Sequence, residues 1–101
     1  MRPITVSVTN VGTSDPVGMD ILADPFNVGI GCVISGTPTF TVRHSFESPP
    51  VNWFPNANVS GATGNADTNY MFPVRYVDLE ILNVGSVTDS VTMTILQGSN
   101  R

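Results

Sequence analysis

Apolar and polar residues alternate with a period of two through nearly every apolar stretch of this chain, and no stretch repeats with the period of a helix. Ile4, Val6 and Val8 are separated by Thr5 and Ser7. Val28, Ile30, Cys32 and Ile34 stand at every second position, as do Phe40, Val42, His44 and Phe46. The same holds for Val77, Leu79 and Ile81, and for Val91, Met93 and Ile95. Successive side chains of an extended strand point to opposite faces, so this pattern buries one face of each strand. It predicts an all-β chain with Ile30, Val42, Leu79 and Ile81 at the centre of its core.

The breaks between the runs have turn chemistry. A first strand is predicted from Pro3 to Asn10, followed by the turn Val11-Gly12-Thr13-Ser14-Asp15-Pro16. Val17, Met19 and Ile21 suggest a short second strand, broken by Asp24-Pro25, where Pro25 removes a ladder donor. Phe26 to Ile34 and Thr39 to Phe46 flank Ser35-Gly36-Thr37-Pro38 and read as a hairpin. Glycines 29 and 31 in the first of these suit a bulge or the close approach of another backbone.

Val74 to Val84 reads as the longest strand. It turns at Gly85-Ser86-Val87-Thr88-Asp89 into Ser90 to Gln97, a second expected hairpin. Six main strands separated by turn clusters predict one antiparallel β-sandwich domain over residues 1–101, jelly-roll-like in form. From Glu47 to Asn69 no period survives. This stretch holds Pro49, Pro50, Pro55, Gly61 and Gly64, yet it also carries Val51, Trp53 and Phe54. A long loop with large aromatics is expected to pack rather than to float in solvent.

Composition narrows the partners. Fourteen valines and eleven threonines favour a pleated surface. Lysine is absent, and eight acids against Arg2, Arg43, Arg75 and Arg101 give a net charge of −4. Such a surface is not expected to bind nucleic acid, which needs clustered cations, and it offers no polybasic membrane patch. Only 12% of the residues are charged, a low share for a free monomer, so the surface is expected to be largely Thr, Ser, Asn and Gly or else partly covered by neighbours, and the second reading points to an assembly such as a homo-oligomer. With no secretory leader and no apolar run long enough to span a bilayer, synthesis in the cytoplasm is expected.

No residue cluster supports a reaction. His44 lies on an apolar strand face and lacks a nucleophile and an orienting acid at any familiar spacing, so a hydrogen-bonded core or interface histidine is expected. Cys32, the single cysteine, reads as a buried free thiol. One cysteine and one histidine do not make a structural zinc site. Asn65, Asp67 and Asn69 resemble the start of a calcium loop but lack its glycine and distal glutamate. Asp15, Asp20 and Asp24 read as turn acids, and Gly29-Ile30-Gly31 lacks the helix a phosphate site needs. Asn58-Val59-Ser60 matches a glycosylation sequon without a secretory leader to make it meaningful. No catalytic residue, metal or cofactor is therefore expected. Trp53, Phe54 and Val51 are the candidate interface, with two readings open: anchors for a partner or a sugar ring, or a lid on one end of the sandwich.

Several stretches, taken in order, carry a resemblance: Asp24 to Gly31, Thr39 to Phe46, Trp53-Phe54, Phe72-Pro73-Val74-Arg75, and the closing strand that ends in Ile95-Leu96-Gln97. From about Val17 to Gly98 the chain resembles small all-β structural proteins of tailed bacteriophages. The resemblance implies a non-enzymatic virion component made in the host cytoplasm. Its expected role is a capsid decoration or cement protein, of jelly-roll or immunoglobulin-like fold, that binds across major capsid subunits. A tail or head-fibre module that binds host glycan is the alternative.

Overall fold

The runs that alternate in sequence become strands that share one core. The computed structural model describes residues 3–23 and 25–98. Its strands are β1 (Ile4–Thr9), β2 (Gly12–Thr13), β3 (Val17–Gly18), β4 (Val28–Ser35), β5 (Thr39–Ser45), β6 (Phe54–Pro55), β7 (Ala66–Tyr70), β8 (Tyr76–Asn83) and β9 (Ser90–Gln97). There is no helix among the described residues. One sheet has four strands in the order β1-β9-β4-β7. The other has five: β2-β8-β5-β6, with β3 also paired to β8. Every ladder is antiparallel, and the two sheets face each other as a β-sandwich.

The core lies between the sheets and takes one residue in two from each long strand. Val28, Ile30 and Cys32 of β4 are buried beside Val91, Met93 and Ile95 of β9. Across the gap, Phe40 and Val42 of β5 are fully buried beside Val77, Leu79 and Ile81 of β8. Each such side chain contributes roughly 1.5–3 kcal/mol on leaving water. All four core residues expected from the alternation are buried, and so is Cys32. Burial pushes the Cys32 thiol up to about 11, so it stays protonated and inert at neutral pH.

Neither expected hairpin forms. β4 pairs with β7 and β9, whereas β5 pairs with β6 and β8, so the turn at residues 36–38 carries the chain from one sheet to the other. The turn after β8 does the same in reverse. A buried carboxylate ties these two crossings together. Asp89 Oδ2 accepts hydrogen bonds from the amides of Gly85 (2.8 Å), Ser86 (3.0 Å) and Thr37 (3.2 Å). Burial alone would raise this carboxyl, but the amide bonds together outweigh it and hold it below its ordinary range. Gly36 fits against the carboxylate with φ 86°; a Cβ there would sit 1.9 Å from Asp89 Oδ1. The alternation showed which face each side chain takes. It did not show which strand lies alongside.

Three other expectations need correction. The second strand shrinks to Val17–Gly18, because Ile21 and Leu22 turn around the Asp20 carboxylate. The strand that replaces it is β7, which emerges from the end of the aperiodic stretch. β8 is not the longest strand, since β4, β8 and β9 each have eight residues. Nor do the glycines of β4 admit a close backbone: a Cβ on Gly31 would meet open space, and one on Gly29 would lie 3.8 Å from Leu96 O.

The aperiodic stretch does pack. Asn56 N donates to Val42 O (2.8 Å), Val42 N to Val59 O (3.0 Å), and Phe40 and Ala62 exchange bonds of 2.8–2.9 Å. Val59 is fully buried. The segment thus satisfies the free edge of β5 without regular strand geometry, and its bonds follow no two-residue period that a sequence would display.

Candidate functional site

The inner face of β5 runs out of the sandwich at one end. Phe40 and Val42 are fully buried, His44 is nearly so, and Phe46, one residue beyond the strand, is 48% exposed. Around His44 the fold gathers rings from four further positions. Tyr70, at the end of β7, lies edge-on with ring centres 5.0 Å apart. Phe46 (5.4 Å) and Phe72 (5.8 Å) are also edge-on, and Phe54 of β6 stacks at 6.0 Å. The outer rings touch one another as well: Tyr70 meets Phe72 at 5.5 Å, Phe46 meets Phe54 at 5.9 Å, and Phe46 meets Phe72 at 6.3 Å. Ring pairs of this kind add about 0.5–1.5 kcal/mol each beyond their buried area.

The inner part of this cluster is closed and the outer part is open. Tyr70 is fully buried, and its hydroxyl lies 2.8 Å from His44 Nδ1. Burial lowers the His44 imidazole from its ordinary value and pushes the Tyr70 hydroxyl up to about 12, so both are neutral at pH 7. With the imidazole proton on Nε2, the tyrosine hydroxyl donates and Nδ1 accepts. Phe46, Phe54 and Phe72 are each 48% exposed, and Met71, beside Phe72 in the chain, is more exposed still. Three of the five phenylalanines therefore present nearly half their surface to solvent at one end of the sandwich. This exposed apolar end is the candidate site for contact with a partner.

The three candidate interface residues do not act as a unit. Phe54 belongs to the aromatic end. Trp53, next to it, turns to the outer face of the five-stranded sheet, where the Arg43 guanidinium lies 5.0 Å above its ring. That guanidinium also grips Asp78, with Nε 2.9 Å from Oδ1 and a terminal nitrogen 2.5 Å from Oδ2; Glu80 lies farther off at 3.9 Å. Burial pushes the Asp78 carboxyl up against the pull of Arg43, and the bond to Asp78 pushes Arg43 up. Trp53 is half-buried over this ion pair. Val51 is strongly exposed on a loop held by the Glu47 carboxylate, which accepts from the Val51 and Asn52 amides.

The remaining polar candidates do not converge. His44 spends its Nδ1 on Tyr70. Asn65 Oδ1 accepts from the Ile34 amide, while Asp67 and Asn69 lie exposed along β7. Asp15 is exposed, Asp20 accepts the Leu22 amide, and Asp24 lies outside the described residues. Asn58 of the sequon is exposed next to fully buried Val59. No group of three or more His, Cys, Asp or Glu side chains gathers among the described residues.

Phe46, Tyr70 and Phe72 are not among the residues that the sequence marks as a candidate interface. The cluster Tyr70-Met71-Phe72 was the available signal, three large side chains in a row where no alternation could bury all of them. Comparison with protein-family models and with curated proteins finds no match for this chain.

Proposed function

We propose that the chain is a non-enzymatic structural subunit of a tailed-bacteriophage particle, a decoration or cement protein that binds across major capsid subunits. The observation that carries this reading is the aromatic end. Phe46, Phe54 and Phe72 are held in place from behind by buried His44 and Tyr70, so they present a rigid apolar anchor that loses little side-chain entropy on docking. A subunit that binds only the assembled shell stabilises it by mass action.

The strand order supports a jelly-roll reading. If β2 and β3 count as one interrupted strand, the chain has eight, ordered 1-8-3-6 in one sheet and 2-7-4-5 in the other. Jelly rolls of eight strands recur in viral capsid proteins and in lectins. Fold alone does not select between these, so the choice rests on the chemistry of the site. Phenyl rings dominate it, with few polar groups to bind sugar hydroxyls, which favours a protein partner.

The test is reconstitution. Particles freed of this protein should bind the wild-type chain. They should lose a Phe54→Ser/Phe72→Ser variant that retains its β-sheet circular dichroism. Undiminished binding of that variant would remove the aromatic end from the account, and binding to host glycan in place of the shell would establish the fibre alternative.

A further inference from the structure

A sandwich of two open sheets has four edges, and three of them are blunted in this chain. β6 is two residues long and contains Pro55, which has no amide to offer. On the opposite edge of the same sheet, β2 and β3 are two residues each, interrupted by Ser14-Asp15-Pro16. β7 is five residues long and carries the charge of Asp67 within the strand. These are the usual protections of a sheet edge against pairing with another chain.

The fourth edge has none of them. β1 pairs with β9 over six consecutive residues, from Ile4 opposite Ile95 to Thr9 opposite Ser90, without a bulge. Its sequence Ile-Thr-Val-Ser-Val-Thr has no charge, proline or glycine and is rich in branched residues. It ends the four-stranded sheet, and no described residue pairs with its other side. On its inner face, Ile4 keeps 36% of its surface exposed and Val6 is only half-buried, although their partners Ile95 and Met93 are fully buried.

We infer that β1 is a self-association edge, and that two copies of the chain join their β1 strands antiparallel about a two-fold axis to form one continuous sheet. The strand is complementary to itself. Pairing centred on Val6 sets Ile4 opposite Val8 of the second copy and Thr5 opposite its Ser7. Inner apolar residues then meet inner ones, and outer hydroxyls meet outer ones. A second copy is the fitting occupant because the chain is acidic, with a net charge of −4, yet brings no carboxylate to this strand. Like charges are thus kept out of the joint. The other three edges are blunted, so pairing closes at a dimer and does not propagate into fibres. The inference stands apart from the proposed role in a particle, since it concerns the purified chain alone.

Sedimentation velocity of the full chain over a dilution series tests it. Wild type should sediment as a dimer that dissociates on dilution. In Thr5→Lys/Ser7→Lys, each new lysine faces a lysine of the other copy, and dimerisation should weaken by on the order of tenfold or more. Mixing it with Thr5→Glu/Ser7→Glu should restore a mixed dimer. Circular dichroism reports whether the variants fold. Independently of them, hydrogen exchange of the β1 amides in wild type should slow as concentration rises. A wild type that is monomeric throughout, a dimer indifferent to the lysines, or β1 exchange that ignores concentration would each overturn the inference.

Discussion

The Tyr70 hydroxyl lies 2.8 Å from Nδ1 of His44, a hydrogen bond that joins the two sheets where the sandwich opens. Tyr70 ends β7 in one sheet and His44 belongs to β5 in the other, and both rings are buried beneath the exposed phenylalanines. Removing the hydroxyl in Tyr70→Phe leaves the ring in place and a buried imidazole nitrogen without its partner. The expected cost is about 1–3 kcal/mol, read as a lower urea midpoint with an unchanged slope. An unchanged midpoint would mean that the bond contributes nothing to holding the sheets together.

The same histidine sets a direction for acid sensitivity. Burial holds its folded pKa below the ordinary 6.5, so below that pH the unfolded chain binds a proton that the folded chain refuses. Stability is therefore full above 6.5 and falls as pH drops through it, until the folded imidazole itself protonates. Asp89, also depressed when folded, adds a loss at lower pH, below the ordinary carboxylate value. Asp78, raised when folded, adds stability as pH falls in both proteins, so between pH 8 and about 5 the unfolding midpoint of wild type should fall relative to that of His44→Phe. A parallel decline in both proteins would assign the effect to other groups.

Core truncation checks the register of the sheets. Leu79 is fully buried at the centre of β8, paired with Val42 of β5. Leu79→Ala should cost roughly 2–5 kcal/mol through lost transfer energy and the cavity left behind. Cys32, on the opposite sheet, should react slowly with a thiol reagent when native and rapidly in denaturant.

Two glycines with positive φ separate conformational strain from steric conflict. Gly61 (φ 67°) has open space where a Cβ would go, so Gly61→Ala should cost about 1–2 kcal/mol for the left-handed backbone alone. Gly36→Ala meets the Asp89 carboxylate as well and should lower the melting temperature further. Equal effects would show that Asp89 moves aside freely and does not tie the two sheet crossings.

What was legible in the sequence follows from what alternation encodes. It identified the inner faces of β4, β5, β8 and β9 and the burial of Cys32, because the side-chain period alone decides those. It misread the partners. Ser35-Gly36-Thr37-Pro38 and Gly85 to Asp89 look like hairpin turns locally, but the strands they join pair in different sheets, and Asp89 accepts amides from both turns. β7 was hidden because its residues Ala66 to Tyr70 are mostly polar, and its pairing to β4 is an edge contact that needs little apolar burial. Among the candidate interface residues, Phe54 joins the aromatic end, whereas Trp53 packs on the Arg43–Asp78 pair. Trp53→Ala is accordingly expected to lower stability through lost packing on Arg43 more than it lowers docking at the aromatic end.

The central proposal is that this chain is a shell subunit, and copy number tests it most directly. Quantitative mass spectrometry of purified particles should find the protein at a fixed ratio to the major capsid protein, in hundreds of copies on the order expected of a lattice-wide cement. A handful of copies per particle would make it a tail or fibre component, and its absence from particles would contradict the account.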